Sequence, residues 1–367
     1  MKAAALLAAL ALLAACRAPV PPNVTVLTYG SPYSPTHPFS RADIAWMKWV
    51  EAESGGTLRV QPYWSGSLLS SEHAMTDLRH GVADVGLITP IYARGGTHLI
   101  RAQAGFYVGA KTFAEQVAMY RCLASGEPQF AKELHGLEVL AVQGGNLPVI
   151  ITRDRAVKSL RDLQGLRLRA PSELLGVLDH LGADPVDMPM RDVYSALAKG
   201  VLDGVVAPMD TFRSLHFDEV TRFVTRIAIP RGAYAARAMQ ARRWKSLSDT
   251  HRRVLTASTK VWEDALDREL TAADVSGERA AHDSGIVFNE ISPADQATFA
   301  EIYARDGEAR ARALARYGID GLASFRRARA YAQTLAAPSP HCLGVDASAD
   351  RPAPRAAAGS ESNVESP

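Results

Sequence analysis

Two arginines lie two residues apart in a short predicted strand, at Arg167 and Arg169, just ahead of Pro171. Side chains at alternate strand positions share one face, so both guanidinium groups point the same way. A guanidinium group is planar, permanently charged and able to hold a carboxylate through two parallel hydrogen bonds. The pair is therefore suited to binding an organic anion if it is enclosed, and is ordinary solvated charge if it lies on an open surface.

Two further candidates follow the first predicted strand, over residues 24–30. Tyr33 and His37 lie beyond the carboxyl end of that strand, where open α/β sheets bind ligands. Either side chain could donate a hydrogen bond to a ligand oxygen. A single histidine in a proline-rich loop also fits a loop-stabilising role.

Other candidates come from the middle of the chain. Ala207, Pro208 and Met209 follow a predicted buried strand and offer backbone and apolar surface to a ligand, although Met209 equally fits a place in the core. Asn146, with Gln143 in the same glycine-rich loop, could line the same cleft.

The motifs that mark common enzymes are missing. The sequence has no G-x-S-x-G elbow, phosphate-binding loop, H-E-x-x-H or C-x-x-C motif. His73 and His80 are seven residues apart, with no third residue at zinc-ligand spacing. The sequence therefore predicts no catalytic residues, no cofactor and no metal site.

Strands and helices alternate along the chain, which predicts a mainly parallel sheet covered by helices on both faces. Ser40 is the predicted N-cap of the first helix, and Ser292 caps a later helix that has Pro293 at its first position. Residues 247–285 form a long helical run with Ser248 or Asp249 as its cap. Such a length predicts a helix that crosses between two lobes.

Two segments repeat a common pattern. Residues 78–88 and 197–207 both read as a helix end, a glycine, Val-x-Asp and a strand. Gly81 and Gly200 would supply the left-handed residue that closes each helix, which places Asp84 and Asp203 in the connecting turns. The pattern suggests two lobes of similar plan, but turns between helix and strand often look like this.

Length and charge set the limits for the whole chain. The 367 residues are 47% hydrophobic, enough for two domains. Lys and Arg total 41 against 39 Asp and Glu, and they are spread along the chain. A nucleic-acid surface needs a basic stripe, so no nucleic-acid partner is expected.

The N-terminus predicts export. Lys2 precedes an unbroken run of Ala and Leu that is too short to span a bilayer but suits a signal peptide. The run ends in Leu-Ala-Ala-Cys, a bacterial lipobox. The sequence therefore predicts a signal peptide over residues 1–15, lipidation of Cys16 and a tether over 16–22. Ordinary cleavage nearby, with Cys16 a bystander, is the alternative.

Two cysteines remain, Cys122 and Cys342. In an oxidising compartment they could form a disulfide, although Cys122 also fits a buried free thiol. Residues 338–367 are rich in Pro, Ala and Ser without periodic apolar positions, which predicts a disordered tail.

Several segments together resemble the solute receptors of tripartite ATP-independent periplasmic (TRAP) transporters, over roughly residues 24–330. They are SPTHPFS, WSGSLLSSEHAMTDLRHGVADVGLITPIY, VKSLRDLQGLRLRAP, ALAKGVLDGVVAP and MQARRWKSLSDTHRRVL, and their order and spacing follow the family. Many members carry Gln-Glu-Asn where this chain has Val205, Val206 and Ala207, so a polar contact to the ligand is missing here.

The resemblance implies an α/β fold like the type II periplasmic binding proteins, with two α/β lobes joined by crossing strands and a long connector helix. The expected lobes are 24–147 with about 238–275, and 148–237 with about 276–335. Arg169 is the expected partner of a carboxylate ligand enclosed between the lobes, while Arg167 faces solvent or pairs with an acid.

The implied function is that of an extracytoplasmic receptor that delivers an organic acid anion to integral permease subunits. The expected location is the periplasm of a Gram-negative bacterium, with a lipid anchor in the membrane. The alternative is an exported lipoprotein that senses a ligand or binds a partner and signals through that partner instead of feeding a transporter.

Overall fold

The computed structural model describes residues 23–93, 95–335 and 342. The predicted signal peptide, the lipidation site at Cys16, the tether and most of the predicted tail lie outside the described residues. Within the described part, no helix combines the length and hydropathy needed to span a membrane.

The described residues form eleven strands in two sheets. The strands are β1 (Thr25–Gly30), β2 (Leu58–Tyr63), β3 (Val85–Leu87), β4 (Leu137–Gln143), β5 (Val149–Thr152), β6 (Arg167–Arg169), β7 (Asp184–Val186), β8 (Gly204–Ala207), β9 (Phe223–Arg226), β10 (Tyr234–Gln240) and β11 (Val287–Glu290).

Twelve α-helices cover the sheets in the same part of the chain. They are α1 (Pro38–Glu53), α2 (Ala74–His80), α3 (His98–Gln103), α4 (Phe113–Ser125), α5 (Pro128–Glu133), α6 (Leu175–His180), α7 (Met190–Ala198), α8 (Thr211–Ser214), α9 (Ala241–Ser246), α10 (Asp249–Asp283), α11 (Pro293–Ala313) and α12 (Gly321–Thr334).

The first sheet has the order β2-β1-β3-β10-β4. β1 is parallel to β2 and β3, whereas β10 runs antiparallel to β3 and β4. All of β10 belongs to this sheet, including residues 234–237, which the sequence-based division assigns to the second lobe. The helix α12, assigned there as well, packs against α4 and the core of the first sheet.

The second sheet has the order β11-β9-β5-β8-β6-β7. β6 lies between β7 and β8 and is parallel to both, and β5 joins the sheet antiparallel to β8 and β9. Separate apolar clusters lie on its two faces, one including Leu168 and Phe299 and the other including Val205 and Phe212. The two-lobed α/β fold predicted from the sequence is confirmed.

Helix α10 connects the lobes, as its length predicts. It runs for 35 residues, and the Ser248 hydroxyl caps it by accepting the His251 N–H at 3.1 Å. Trp262 stacks on Trp46 of α1 with ring centroids 3.7 Å apart. Further along, a Cβ at Gly277 would lie 2.0 Å from the Met209 carbonyl oxygen, so only glycine allows α10 this close to the second sheet.

The predicted helix starts are right in one case and wrong in another. Ser292 caps α11 by accepting the Asp295 N–H at 3.1 Å, with Pro293 at the first position. For α1, the predicted N-cap Ser40 is wrong. The helix begins at Pro38, because the His37 imidazole Nδ1 accepts the Phe39 N–H at 3.2 Å.

Cys122 and Cys342 form a disulfide, with their Cα atoms 5.5 Å apart. Cys122 lies on α4 in the core of the first lobe, so the bond ties the segment after α12 to that lobe.

Candidate ligand-binding site

A cleft of about 110 Å³ lies between the two sheets and receives residues from both. Residues near the ends of β1 and β3 form one wall, and residues that follow β6 and β8 form the other. Lining residues of the first wall include Tyr33, His37, Phe39, Ile91, Tyr92 and Tyr234. Those of the second include Arg169, Glu173, Leu174, Val206, Pro208 and Asp210.

Arg169 ends β6 and is buried in this cleft, with 2% of its surface exposed. Its Nε donates to the Met188 carbonyl at 3.0 Å, and its Nη2 donates to the Tyr92 hydroxyl at 2.5 Å. Both acceptors are neutral. Among the described residues, no carboxylate lies within 4.0 Å of the guanidinium and Nη1 has no hydrogen-bond partner, so one donor edge is free for an anion.

The strand that carries Arg169 is held in register by the turn before β8. The Asp203 carboxylate accepts the Arg167 N–H at 2.7 Å, and the Asp203 N–H donates to the Arg167 carbonyl at 2.8 Å. The Arg167 side chain is exposed, and its Nε lies 3.5 Å from Asp184. The two arginines share a strand, but only Arg169 reaches the cleft.

Tyr33 and His37 lie side by side in the first wall. Their rings stack with centroids 4.1 Å apart, and the Tyr33 ring meets Phe39 edge-on at 5.3 Å. Burial, with a smaller contribution from the nearby Arg41 and Arg237, lowers the pKa of His37 to about 3, so the imidazole is neutral. Since Nδ1 accepts the helix-capping bond, the ring proton lies on Nε2.

The segment after β8 divides between cleft and core. Pro208 lines the cleft, together with Val206 from β8 itself. Ala207 and Met209 lie instead in the apolar cluster beneath the sheet and are not among the residues that line the cleft. Alternate residues of an extended segment face opposite sides, which accounts for the division.

The loop after β4 lies at the edge of the cleft. The Asn146 side-chain amide donates to the Leu270 carbonyl of α10 at 2.9 Å and does not line the cleft. Gln143 is buried in the first lobe, where it donates to the Tyr234 hydroxyl at 3.1 Å. Of the eight residues that the sequence suggested as ligand contacts, the structure brings Arg169, Tyr33, His37 and Pro208 to the cleft.

Three charged residues of the cleft were missed in the sequence: Arg231, Asp210 and Glu173. Arg231 lies in the crossing segment between β9 and β10, and its Nη1 donates to the Asn146 carbonyl at 3.1 Å. No periodicity marks this position, because the residue sits between strands. The sequence of 230–232, Pro-Arg-Gly, shows only an arginine in a turn.

The two acids are deeply buried. Desolvation raises the pKa of Asp210 to about 7, a rise that Arg231 opposes and Asp274 reinforces. Desolvation also raises the pKa of Glu173, opposed by Arg310, Arg169 and Arg231. The Glu173 Oε2 atom is buried without a hydrogen-bond partner among the described residues. The cleft therefore combines two guanidinium groups with two carboxyls that resist ionisation.

Within the described residues, no group of three or more His, Cys, Asp or Glu side chains is placed to hold a metal ion. The arrangement of the cleft suits binding by charge and shape: a buried cation, aromatic walls and an apolar floor, enclosed between two lobes.

Comparison with known proteins identifies the family. Residues 29–309 match the model of bacterial extracellular solute-binding proteins, family 7. The chain belongs to this family. The resemblance to TRAP solute receptors read from the sequence is thereby confirmed.

Curated relatives agree, with modest similarity. A solute-binding protein of Albidiferax ferrireducens is 25% identical over 180 residues, 48% of this chain and 52% of the relative. One of Roseobacter denitrificans is 30% identical over 151 residues, 40% of this chain and 46% of the relative. The chain thus spans about half the length of these curated relatives.

Solved structures share the fold over nearly their whole length. A TRAP solute-binding protein from Rhodoferax ferrireducens, in complex with copurified benzoate, superimposes with a TM-score of 0.77 at 24% identity, over 84% of this chain and 98% of that one. A marine metagenome TRAP solute-binding protein, in complex with 3-hydroxybenzoate, gives a TM-score of 0.75 at 25% identity over the same shares.

Proposed function

We propose that this chain is the extracytoplasmic solute receptor of a TRAP transporter, which encloses an organic acid anion between its two lobes and delivers it to integral permease subunits. One observation carries the proposal: in the part of the chain that the structure describes, Arg169 is buried in the interlobe cleft, its hydrogen-bond partners are neutral and its Nη1 has none. A buried guanidinium without a counter-charge favours an anionic ligand. The receptor performs no chemistry on that ligand.

The remaining cleft contacts follow from the same geometry. Tyr33 and His37 lie in the wall opposite Arg169. The Tyr33 hydroxyl and the His37 Nε2–H donate hydrogen bonds to a ligand oxygen, and Pro208 supplies apolar contact. Ala207, Met209 and Asn146 support the cleft from behind, through the core and through the bond to α10. Similar solved proteins hold benzoate, 3-hydroxybenzoate, mandelate and β-D-galacturonate, all of them carboxylates.

The lobes of the proposed receptor are built on the two sheets. The first comprises β1–β4, β10 and the first part of α10, and the second comprises β5–β9, β11 and the end of α10. Closure is a hinge motion at the crossing segments near 144–148 and 227–233 and along α10. A bound anion that contacts both Arg169 and the first wall favours the closed state.

We also propose that the protein acts in the periplasm of a Gram-negative bacterium as a lipoprotein, with residues 1–15 removed and Cys16 carrying the lipid. Labelling cells with a palmitate analogue should mark the wild type and leave Cys16→Ser unmarked. Recovery of both forms in the soluble periplasmic fraction would show a freely soluble receptor instead.

The receptor role is tested by ligand-dependent stabilisation and by uptake. At a ligand concentration a hundredfold above Kd, binding should add about 2.7 kcal/mol to the free energy of unfolding, which raises the midpoint of thermal denaturation. Deletion of the chain should abolish uptake of the same acid by whole cells, and the wild-type gene should restore it. Binding without any loss of uptake would support the alternative, an exported protein that senses the acid for a signalling partner.

A further inference from the structure

The walls of the cleft away from Arg169 are largely apolar. Both lobes contribute aliphatic side chains that face the space where the body of a ligand would lie. They are Ile91, Leu174, Met190, Val206 and Leu215. A ligand with many hydroxyl groups would lose hydrogen bonds to water there without regaining them, which disfavours binding of a sugar acid.

The first wall adds a cluster of aromatic rings. Tyr33 is fixed by its stacking on His37 and by its edge contact with Phe39. The hydroxyl groups of Tyr92 and Tyr234 are engaged, by Arg169 at 2.5 Å and by Gln143 at 3.1 Å. Both hydroxyls accept in these bonds and keep their own O–H groups to donate. The rings themselves give the wall a surface that favours offset or edge-to-face contact with another ring.

The charges of the cleft favour a single carboxylate. Among the described residues, Arg169 hydrogen-bonds only neutral groups and its Nη1 has no partner, whereas Nη1 of Arg231 already donates to the Asn146 carbonyl at 3.1 Å. Two buried acids, Asp210 and Glu173, lie in the same cleft. Arg231 lies near enough to both acids to interact with their charge. A second ligand carboxylate at Arg231 would compete with Asp210 for its positive charge, so Arg169, whose Nη1 is free among the described residues, is the better site for an anion.

We infer that the cleft selects a monocarboxylate whose body is a single aromatic ring, with the carboxylate on Arg169 and the ring between the tyrosine cluster and the apolar wall. This inference rests on the proposed receptor function and specifies its ligand class.

The experiment measures binding by the full chain, purified as exported and refolded to remove copurified ligand. Four acids differ from one another in one property each: benzoate, cyclohexanecarboxylate with a saturated ring, isophthalate with a second carboxylate, and glucuronate with hydroxyl groups. We expect the Kd for benzoate, from calorimetric titration, to be at least tenfold lower than for each of the other three.

Two variants connect the preference to the cleft. Leu215→Gln places an amide in a partly exposed part of the apolar wall, and it should reduce the preference for benzoate over glucuronate at least threefold. Arg169→Gln should weaken binding of benzoate about a hundredfold. Arg167→Gln, on the same strand but outside the cleft, should bind benzoate as the wild type does.

The outcomes separate this inference from the proposal on which it rests. Equal or tighter binding of cyclohexanecarboxylate, isophthalate or glucuronate would overturn the aromatic monocarboxylate assignment and leave the receptor function standing. Failure of a broad panel of carboxylates to bind the refolded wild type, with native circular dichroism restored, would overturn both.

Discussion

Two buried arginines, one in the core of the first lobe and one in the cleft, differ in where their counter-charge comes from. Arg237 is fully buried, and its Nε donates to Asp43 Oδ1 at 2.7 Å. Arg169 is 2% exposed, and among the described residues it hydrogen-bonds only the Met188 carbonyl and the Tyr92 hydroxyl. A buried charge is costly unless it is paired. The charge of Arg237 is balanced by the Asp43 carboxylate of the same protein. The charge of Arg169 is left to be balanced by a bound anion.

The environment of Arg237 shows what a purely structural arginine looks like. Asp43 also accepts the Trp262 Nε1–H at 2.8 Å and the Tyr29 hydroxyl, and Arg237 Nη1 donates to Gln143 at 3.0 Å. These bonds join α1, α10 and strands β1, β4 and β10. The cluster therefore stabilises the first lobe, and it leaves the Asp43 carboxylate with no capacity for a ligand.

The largest effect is expected from Arg237→Met. The substitution leaves the Asp43 carboxylate buried without its cation, which should lower the free energy of unfolding by about 3–5 kcal/mol. Urea denaturation followed by circular dichroism measures the loss. Arg243→Met is the matched control, since Arg243 is partly exposed and pairs with Asp84 at 3.1 Å, and it should cost about 1 kcal/mol or less.

A loss below 1 kcal/mol for Arg237→Met would contradict this interpretation. It would mean that the Asp43 cluster contributes little to the fold and that burial alone does not separate the two arginines.

The second prediction concerns Arg169→Gln. Loss of charge-assisted hydrogen bonds should weaken carboxylate binding by about 1.5–3 kcal/mol, roughly ten- to 150-fold in Kd. The free protein should change in stability by less than about 1 kcal/mol, because only two bonds to neutral partners are lost. Calorimetric titration and urea denaturation of the same preparation give both values. If Arg169→Gln bound the carboxylate as tightly as wild type but unfolded much more easily, Arg169 would be a structural arginine like Arg237.

The sequence predicted the fold well because its signals are local. The alternation of strands and helices, the long helix from Ser248 and the repeated glycine-to-aspartate pattern all depend on neighbouring residues. Both predicted turns form as expected. The Asp84 carboxylate accepts the Thr28 N–H of β1 at 2.8 Å, just as Asp203 accepts the N–H of Arg167.

The cleft was predicted only in part because its electrostatics depend on residues distant in sequence. The motif around β6 indicated Arg169, but nothing local indicated that Tyr92, 77 residues away, would bind it. Arg231 and Asp210 both line the cleft, but each lies in a segment that has no periodic pattern. Ser40 failed as a helix cap because a histidine, uncommon in that position, took the role.

The third prediction tests whether Asp210 keeps its proton in the folded protein near neutral pH. Burial raises the pKa of Asp210 from 3.8 to about 7. The folded protein therefore binds this proton more tightly than the unfolded chain, and the resulting stability is present below about pH 4 and is lost as the pH rises through 7. Asp210→Asn cannot ionise, so relative to wild type it should gain about 2–3 kcal/mol between pH 5 and pH 8.

Urea denaturation of wild type and Asp210→Asn at both pH values measures this difference. Asp192→Asn is a suitable control, because Asp192 is exposed on α7 and should show no such change. A stability difference between wild type and Asp210→Asn that does not depend on pH would mean that Asp210 is ionised throughout, paired with Arg231.

The smallest effect is expected at Arg167, and it completes the comparison between paired and unpaired arginines. Arg167 lies on the same strand face as Arg169, but its side chain is half exposed and its acid partner Asp184 is 64% exposed. An exposed pair contributes little, so Arg167→Gln should change the free energy of unfolding by less than about 0.5 kcal/mol and leave carboxylate affinity unaltered. The two side chains alternate onto the same face of one strand, but only Arg169 lies in the cleft between the lobes. If Arg167→Gln weakened carboxylate binding nearly as much as Arg169→Gln does, the combined charge of both arginines, and not the enclosed guanidinium alone, would attract the anion.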